Sequence, residues 1–373
     1  MSFSFSSLIR LLVLLALGST MLAVGLSRLD PPGPGWRSRR TPRDFNVNEC
    51  FLDVTDRTPR WLDSETGRVV SAPLADGDVL EVASSSPWVD EHGHRQVVGR
   101  WSSRTKDGPM SMSHDFGLAR YTFPGGEKLD QVSTEIVPVG PPCWFPGTRA
   151  RVLFAAGDGE LYRYAFEAED RQKSDPERDP RPSPIAWRCP KPGQGEVFLG
   201  DLTWPDDPRL GGCVVASLRL QGPDGRGGRV YSRTQLWWLK LNHAGTHIVD
   251  AGRLIVPEPG ADDDGYDERS PSLATRSDGR LALAYLHHRG EIRGWELRVA
   301  PVSIDAERHV PSALQSAFRV LAPGCQAAPA AFSPDGRWLT AIVGAHPSVA
   351  RMKRLATDAA FPAPAPAHLA ASP

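Results

Sequence analysis

The stretch Ala328 to Val343 reads A-P-A-A-F-S-P-D-G-R-W-L-T-A-I-V. It predicts a short strand ending at Ala331 and Phe332, a tight turn and a second strand. In the turn, Pro334 fixes φ, Asp335 bonds its own backbone and Gly336 accepts a positive φ. Trp338, Leu339, Ala341, Ile342 and Val343 make a nearly unbroken apolar run, as a strand needs when both of its faces are covered. Weaker copies of this unit recur along the chain. Their recurrence decides the fold and leaves the function open.

The 373 residues include 35 Gly and 35 Pro, spread between apolar runs. That is the composition of many short strands joined by many turns. Hydrophobic residues at 40 % and 11 Trp supply a sizeable core. Lys plus Arg is 43 against 44 Asp plus Glu, a net charge of −1, which excludes general electrostatic attraction to nucleic acid.

Inner hairpins begin near Pro87, Pro142, Leu202, Pro271 and Pro329, at intervals of about 55 to 70 residues. Outer hairpins follow them, as in Thr234 to Leu241 with His247 to Val256. Four strands per interval is the unit of a β-propeller blade. The chain starts with an orphan outer hairpin, Arg60 to Leu74, and finishes with an orphan inner hairpin, Ala328 to Val343. Pairing the two would complete a blade and remove the free edges of the ring. The predicted fold class is therefore all-β, a propeller of five blades, or six if a long interval hides a degenerate one. A two-sheet sandwich or two β domains is the alternative.

Arg10 precedes an apolar run, Leu11 to Leu26, and Ala23-Val24-Gly25 offers a cleavage site. This is the layout of a signal peptide. As an uncleaved anchor, residues 8–26 would be the membrane segment, although the run makes only ~24 Å of helix. Arg28, Arg37, Arg39, Arg40 and Arg43 follow it, and a positive-inside reading would keep them in the cytoplasm. The layout favours export and an extracytoplasmic protein. The expected division is a leader or anchor at 1–28, a Pro/Arg-rich linker at 29–44, the propeller at 45–357 and a disordered Pro/Ala tail at 358–373.

Cysteines stand at 50, 143, 189, 213 and 325, with no C-x-x-C pair. Cys50 and Cys325 lie at the two ends of the folded region and are the candidate disulfide. The bland reading is small buried hydrophobes.

F-S-P-D-G-R-W-L at Phe332 to Leu339 resembles the TolB-type, WD-repeat-like propeller repeat, and R-S-D-G-R-L-A-L-A-Y at Arg276 to Tyr285 is a second good copy. The units at Trp88, Trp144 and Trp204 keep an aromatic and a turn but lose the Ser-Pro-Asp-Gly core. The resemblance implies a propeller, often extracytoplasmic, and brings no active site. TolB itself also carries an N-terminal α/β domain, for which Leu26 to Phe45 leaves no room.

No G-x-S-x-G, H-E-x-x-H, P-loop or N-x-S/T occurs, so the usual hydrolase elbow and zinc or nucleotide motifs are missing. The acidic run Asp262 to Glu268 misses the Ca²⁺-loop spacing and reads as a solvated loop. His287 and His288 are neighbours on a strand and point to opposite faces. His92 and His94 flank a turn without a third ligand. Trp88, Trp144 and Trp204, with Asp201 and Arg269, are expected at the starts of inner strands, near the central channel. There they would form a ligand pocket or pack between blades. Asp267 and Glu268 add carboxylates.

These features predict a monomeric, non-catalytic exported scaffold that holds a protein or envelope ligand, with no cofactor, metal or nucleic acid. The binding candidates are Trp88, Trp144, Asp201, Trp204, Glu268 and Arg269. The alternative is a lactonase- or glycosidase-like propeller enzyme with a metal or carboxylates in the channel.

Overall fold

The computed structural model describes residues 43–361 apart from several connecting stretches, the longest being 105–113, 167–181 and 258–265; before residue 80 it gives backbone pairing only. The expected leader, most of the linker, the acidic residues 262–264 and the tail beyond Phe361 lie outside the described residues. Thr41–Pro373 forms one unit, and the description concerns that unit.

The strands form successive antiparallel meanders. The first is Arg43–Phe45, Cys50–Asp53, Thr58–Leu62 and Val69–Ser71. The second is Val79–Ser85, Arg95–Arg104, His114–Phe123 and Lys128–Ser133. The third is Cys143–Trp144, Arg151–Ala155, Leu161–Ala165 and Ser183–Pro184. The fourth is Glu196–Thr203, Cys213–Pro223, Gln235–Leu241 and His247–Arg253. The fifth is Tyr266–Thr275, Leu281–Arg289, Trp295–Asp305 and Arg319–Cys325. Ala331–Phe332, Trp338–Val343 and Arg351–Ala356 make a sixth, three-stranded run.

The first strands of four of the later meanders pack on a strand of the one before: Val79–Ser85 on Arg43–Phe45, Glu196–Thr203 on Arg151–Ala155, Tyr266–Thr275 on Glu196–Thr203, and Ala331–Phe332 on Tyr266–Thr275. The apolar clusters lie in the same seams. Leu153 and Leu161 of the third meander share a cluster with Val214 and Leu239 of the fourth. Val215 and Trp238 of the fourth share one with Leu283 and Tyr285 of the fifth. Sheets that bury both faces against their neighbours in sequence are the architecture of a β-propeller.

One expectation fails. Thr58–Leu62 pairs with Cys50–Asp53 on one side and Val69–Ser71 on the other, and no described pairing joins it to Ala331–Phe332 or Trp338–Val343. The apolar Phe51 and Leu52 supply a local partner, so the expected orphan hairpin is half of a complete meander. The first strand also starts at Arg43, inside the expected linker. At the other end, Asp358–Ala360 forms a one-turn 3-10 helix and Phe361 is buried, so these four residues, expected in the tail, are ordered against the sheets. Arg276 explains this: its guanidinium sits 4.6 Å from the Phe361 ring centroid and 3.0 Å from Asp358 Oδ1.

Two devices repeat. The two D-G turns share an i to i+3 bond onto the glycine and differ by one residue in the bond that closes them. Arg276 N donates to Arg280 O and Gly279 N to Arg276 O; Ser333 N donates to Trp338 O and Gly336 N to Ser333 O. Gly279 and Gly336 take φ of 76° and 66°, which favours glycine. Pro334 and Asp335 themselves lie outside the described residues. The second device is a bulge in the inner strand. Register shifts fall between Leu80 and Ala83, Leu199 and Leu202, and Arg269 and Ser272. Two residues then face one on the neighbouring strand, which re-aims side chains.

Short parallel pairings stitch neighbouring meanders. Ala186–Trp187 runs beside His247–Ile248, and Ile255–Val256 beside Ala313–Leu314. Both cover edges that would otherwise expose unpaired backbone.

Candidate functional site

The six candidate residues do not form one site. Trp88 follows the inner strand Val79–Ser85, Trp144 ends Cys143–Trp144 and Trp204 follows Glu196–Thr203. All three therefore sit at the ends of inner strands, on the tight-turn side, and not at their starts. The bulged, short inner strands set this register, which apolar runs alone do not reveal. Trp88 meets Trp144 edge to face with ring centroids 4.9 Å apart, across the seam between the second and third meanders. Trp204 lies 4.6 Å from Phe145, one seam further on. These are packing contacts between sheets.

Asp201 is a latch. Its Oδ2 accepts from Ser270 N at 3.1 Å and from Ser270 Oγ at 3.0 Å. Its own N–H donates to Ser217 Oγ at 2.8 Å. The bulge aims it into the next meander, where Ser270 takes φ 52°. A Cβ on the preceding Gly200 would stand 2.6 Å from Ser217 Oγ, the hydroxyl that accepts the Asp201 N–H. Arg269 does not pair with Asp201; its guanidinium sits 5.5 Å from the Trp295 ring centroid.

Glu268 lies at the opposite end of its inner strand, in the seam between the fourth and fifth meanders. It is 6 % exposed. Its N–H donates to Thr234 O at 2.9 Å, and its Oε2 accepts from Leu236 N at 3.2 Å. Asp267 Oδ1 accepts from Thr234 N at 2.8 Å, and its Oδ2 lies 3.3 Å from Arg233 Nη1. The two carboxylates thus fix the entry of the strand Gln235–Leu241.

Register places Glu268 opposite His287, and His287 opposite Glu296. Directly opposed residues share a sheet face, so a carboxylate, an imidazole and a carboxylate form one row. His287 is 2 % exposed, with its ring centroid 4.7 Å from that of Tyr266 and 6.1 Å from that of Tyr285. Glu296 pairs with Arg298 at 2.6 Å. Burial, and then the nearby Glu268 carboxylate, push the Tyr285 phenol up. His288 points the other way, 5.0 Å from the Trp295 ring centroid.

A small concavity of about 10 Å³, room for about one water molecule, opens on Glu268. Tyr266, Gln235, Arg253 and Gln315 line it with Ile255 and Pro257. None of these neighbours was a candidate from sequence. Their only signal was proximity to Glu268, and it needed the pairing of Ile255–Val256 with Ala313–Leu314 to bring Gln315 near. Among the described residues no group of three or more His, Cys, Asp or Glu is placed to hold a metal ion. Cys143, Cys189 and Cys213 are free thiols; Cys143 and Cys213 are buried as small apolar residues, and burial pushes both thiols up. The candidate Cys50–Cys325 bridge rests on a Cys50 side chain outside the described residues.

No family model matches the chain, and no curated protein matches it. Among solved structures it is similar to a chain of the mitotic checkpoint complex, at 13 % identity and TM-score 0.43, covering 88 % of this chain and 97 % of that one. It is also similar to the PQQ-bound aldose sugar dehydrogenase of Streptomyces coelicolor, at 17 % identity and TM-score 0.43, covering 85 % and 96 %. The apo soluble aldose sugar dehydrogenase of Escherichia coli overlaps at 14 % identity and TM-score 0.40, covering 84 % and 95 %. The overlaps are loose, and no activity of these proteins transfers to this chain.

Proposed function

We propose that this protein is a non-catalytic, extracytoplasmic binding propeller that holds its ligand or envelope partner at the inner-strand starts, in the seam between the fourth and fifth meanders. The observation that carries the reading is the small concavity at the buried Glu268, lined by an aromatic, amides and an arginine. Convergent polar groups beside an aromatic are one part of the usual make-up of a binding site. The candidate aromatics at the strand ends are engaged in packing, which leaves this seam as the better candidate.

A second reading has its own support. The row Glu268, His287, Glu296 places two carboxylates and an imidazole on one sheet face, residue types suited to general acid–base work. That favours the hydrolase alternative.

One experiment separates the readings. Immobilised full chain is offered separated protein, polysaccharide and lipid fractions of its host's envelope, and is assayed in parallel on chromogenic lactones and glycosides. Retention of one class, reduced about tenfold by Tyr266→Ala without substrate turnover, supports the binding propeller. Turnover abolished by Glu268→Gln supports the enzyme. Retention equal in wild type and Tyr266→Ala sinks the placement of the site.

A further inference from the structure

We infer that the fourth and fifth meanders bind a tetrahedral oxyanion of the phosphate or sulfate type through Arg219 and Arg269, near the starts of their inner strands. The inference rests on the binding role proposed above and names a charged group that the ligand or partner carries.

The two arginines come from neighbouring sheets. Arg219 stands opposite Phe198 in the pairing of Glu196–Thr203 with Cys213–Pro223. Arg269 belongs to Tyr266–Thr275, which packs on both of those strands. Both side chains are half-buried.

Each is held by stacking and not by an acid. Arg219 Cζ lies 4.2 Å from the Tyr231 ring centroid, and Arg269 Cζ lies 5.5 Å from that of Trp295. Arg269 Nε is shut off from solvent without an acceptor. Arg100, Arg120 and Arg276 also bury an Nε without an acceptor, but their Nη1 atoms donate to Pro138 O, Gln96 Oε1 and Gly336 O. Among the described residues neither Arg219 nor Arg269 has such a hydrogen bond or an ion pair.

Their charges are therefore poorly compensated. Burial, and then the Arg269 charge, push the Arg219 guanidinium down, while Tyr231 and Asp267 act the other way. Asp267 already accepts from Thr234 N and pairs with Arg233. The other carboxylates of these inner strands are engaged as well, Asp201 with Ser270 and Glu268 with Leu236 N. A cation drawn out of water without a counter-ion is costly, and an incoming anion removes that cost.

The arrangement selects the kind of anion. A carboxylate has two oxygens, and a single guanidinium fork takes both. A phosphate group offers three strong acceptor oxygens and about −1.5 to −2 charge at pH 7, enough for two forks at once. Tyr231 is 45 % exposed, so the approach to Arg219 is open and a phenol O–H is at hand as a further donor.

The test is titration calorimetry on the full chain at constant ionic strength, with chloride as the balancing anion. Inorganic phosphate, inorganic sulfate, glycerol 3-phosphate and acetate are offered singly. Phosphate or sulfate should bind saturably, and acetate about tenfold more weakly. Glycerol 3-phosphate binding as well as phosphate points to an ester on a larger molecule; its exclusion points to the free ion. Arg219→Gln and Arg269→Gln should each weaken binding about tenfold. Phosphate should raise the melting temperature of the wild type and not of the variants. Arg219→Lys keeps the charge and loses the fork, so it should fold and still bind weakly even if the Arg269 variant does not fold. No saturable binding of phosphate or sulfate overturns the inference, as does binding that no variant alters or acetate binding as tight as that of phosphate. If the anions fail while an envelope fraction is still retained through Tyr266, the binding role stands without this site. If phosphate binds while no fraction is retained, the site stands and the envelope role does not.

Discussion

At the ends of the inner strands, Trp88 meets Trp144 and Trp204 meets Phe145, ring against ring across sheet boundaries. At the start of one inner strand, Asp267 and Glu268 meet backbone amides, and Tyr266 meets an imidazole beside a small concavity. The two regions are built on the same strand type and lie at its opposite ends, in different seams. One side spends its aromatics on holding sheets together. The other keeps polar side chains at the wall of a small concavity. Residue type therefore says little about role in this fold. The end of the strand on which a residue falls says more.

That contrast breaks if removing an end-side aromatic costs ligand binding more than stability. Trp144→Ala should destabilise the unit by about 3–5 kcal/mol, since the side chain is 6 % exposed and fills the second–third seam. Denaturant unfolding measures it. Arg276→Met should cost about 1–3 kcal/mol. It removes bonds to Gly336 O and Thr357 Oγ1 and the contact with Asp358. Hydrogen exchange at residues 357–361 should rise, and the concavity at Glu268 should be untouched.

On the start side, Tyr266→Ala should lower ligand affinity about tenfold with little change in melting temperature, as titration calorimetry and a thermal scan would report. A large drop in melting temperature would move Tyr266 to the structural side of the comparison.

The smallest effect concerns acid. The Arg209 guanidinium, and then Thr275, hold the Asp207 carboxyl at about 2, below its ordinary 3.8. A depressed carboxyl contributes stability above its unfolded value that is lost as pH falls through its folded value. The loss should run from near pH 4 to near pH 2, and Asp207→Ala should flatten it. Urea midpoints across that window check the sign.

Some of this was legible beforehand. The Ser-Asp-Gly and Ser-Pro-Asp-Gly turns mark two inner hairpins because glycine at positive φ leaves a chemical trace. His287 and His288 were read onto opposite faces because strand parity is a local rule. Trp88 misled. An aromatic beside a proline looked like the opening of a strand, but Val79–Ser85 had already run and Trp88 belongs to the turn after it. The hairpin at Arg60 looked orphaned because Cys50–Asp53 is too short to announce itself. Gln315 carried no signal, since its place depends on a two-residue parallel pairing between segments far apart in sequence.

Strand parity, apolar runs and turn chemistry act over a few neighbouring residues. The all-β class, the repeat and the positions of its clearest turns could therefore be read from the chain alone. Tertiary packing settled which strand end each candidate occupies, which partners Asp201 and Glu268 hold, and where a concavity opens. Those depend on register, on single-residue bulges and on which sheet lies across each seam, and contacts of that kind join residues tens of positions apart.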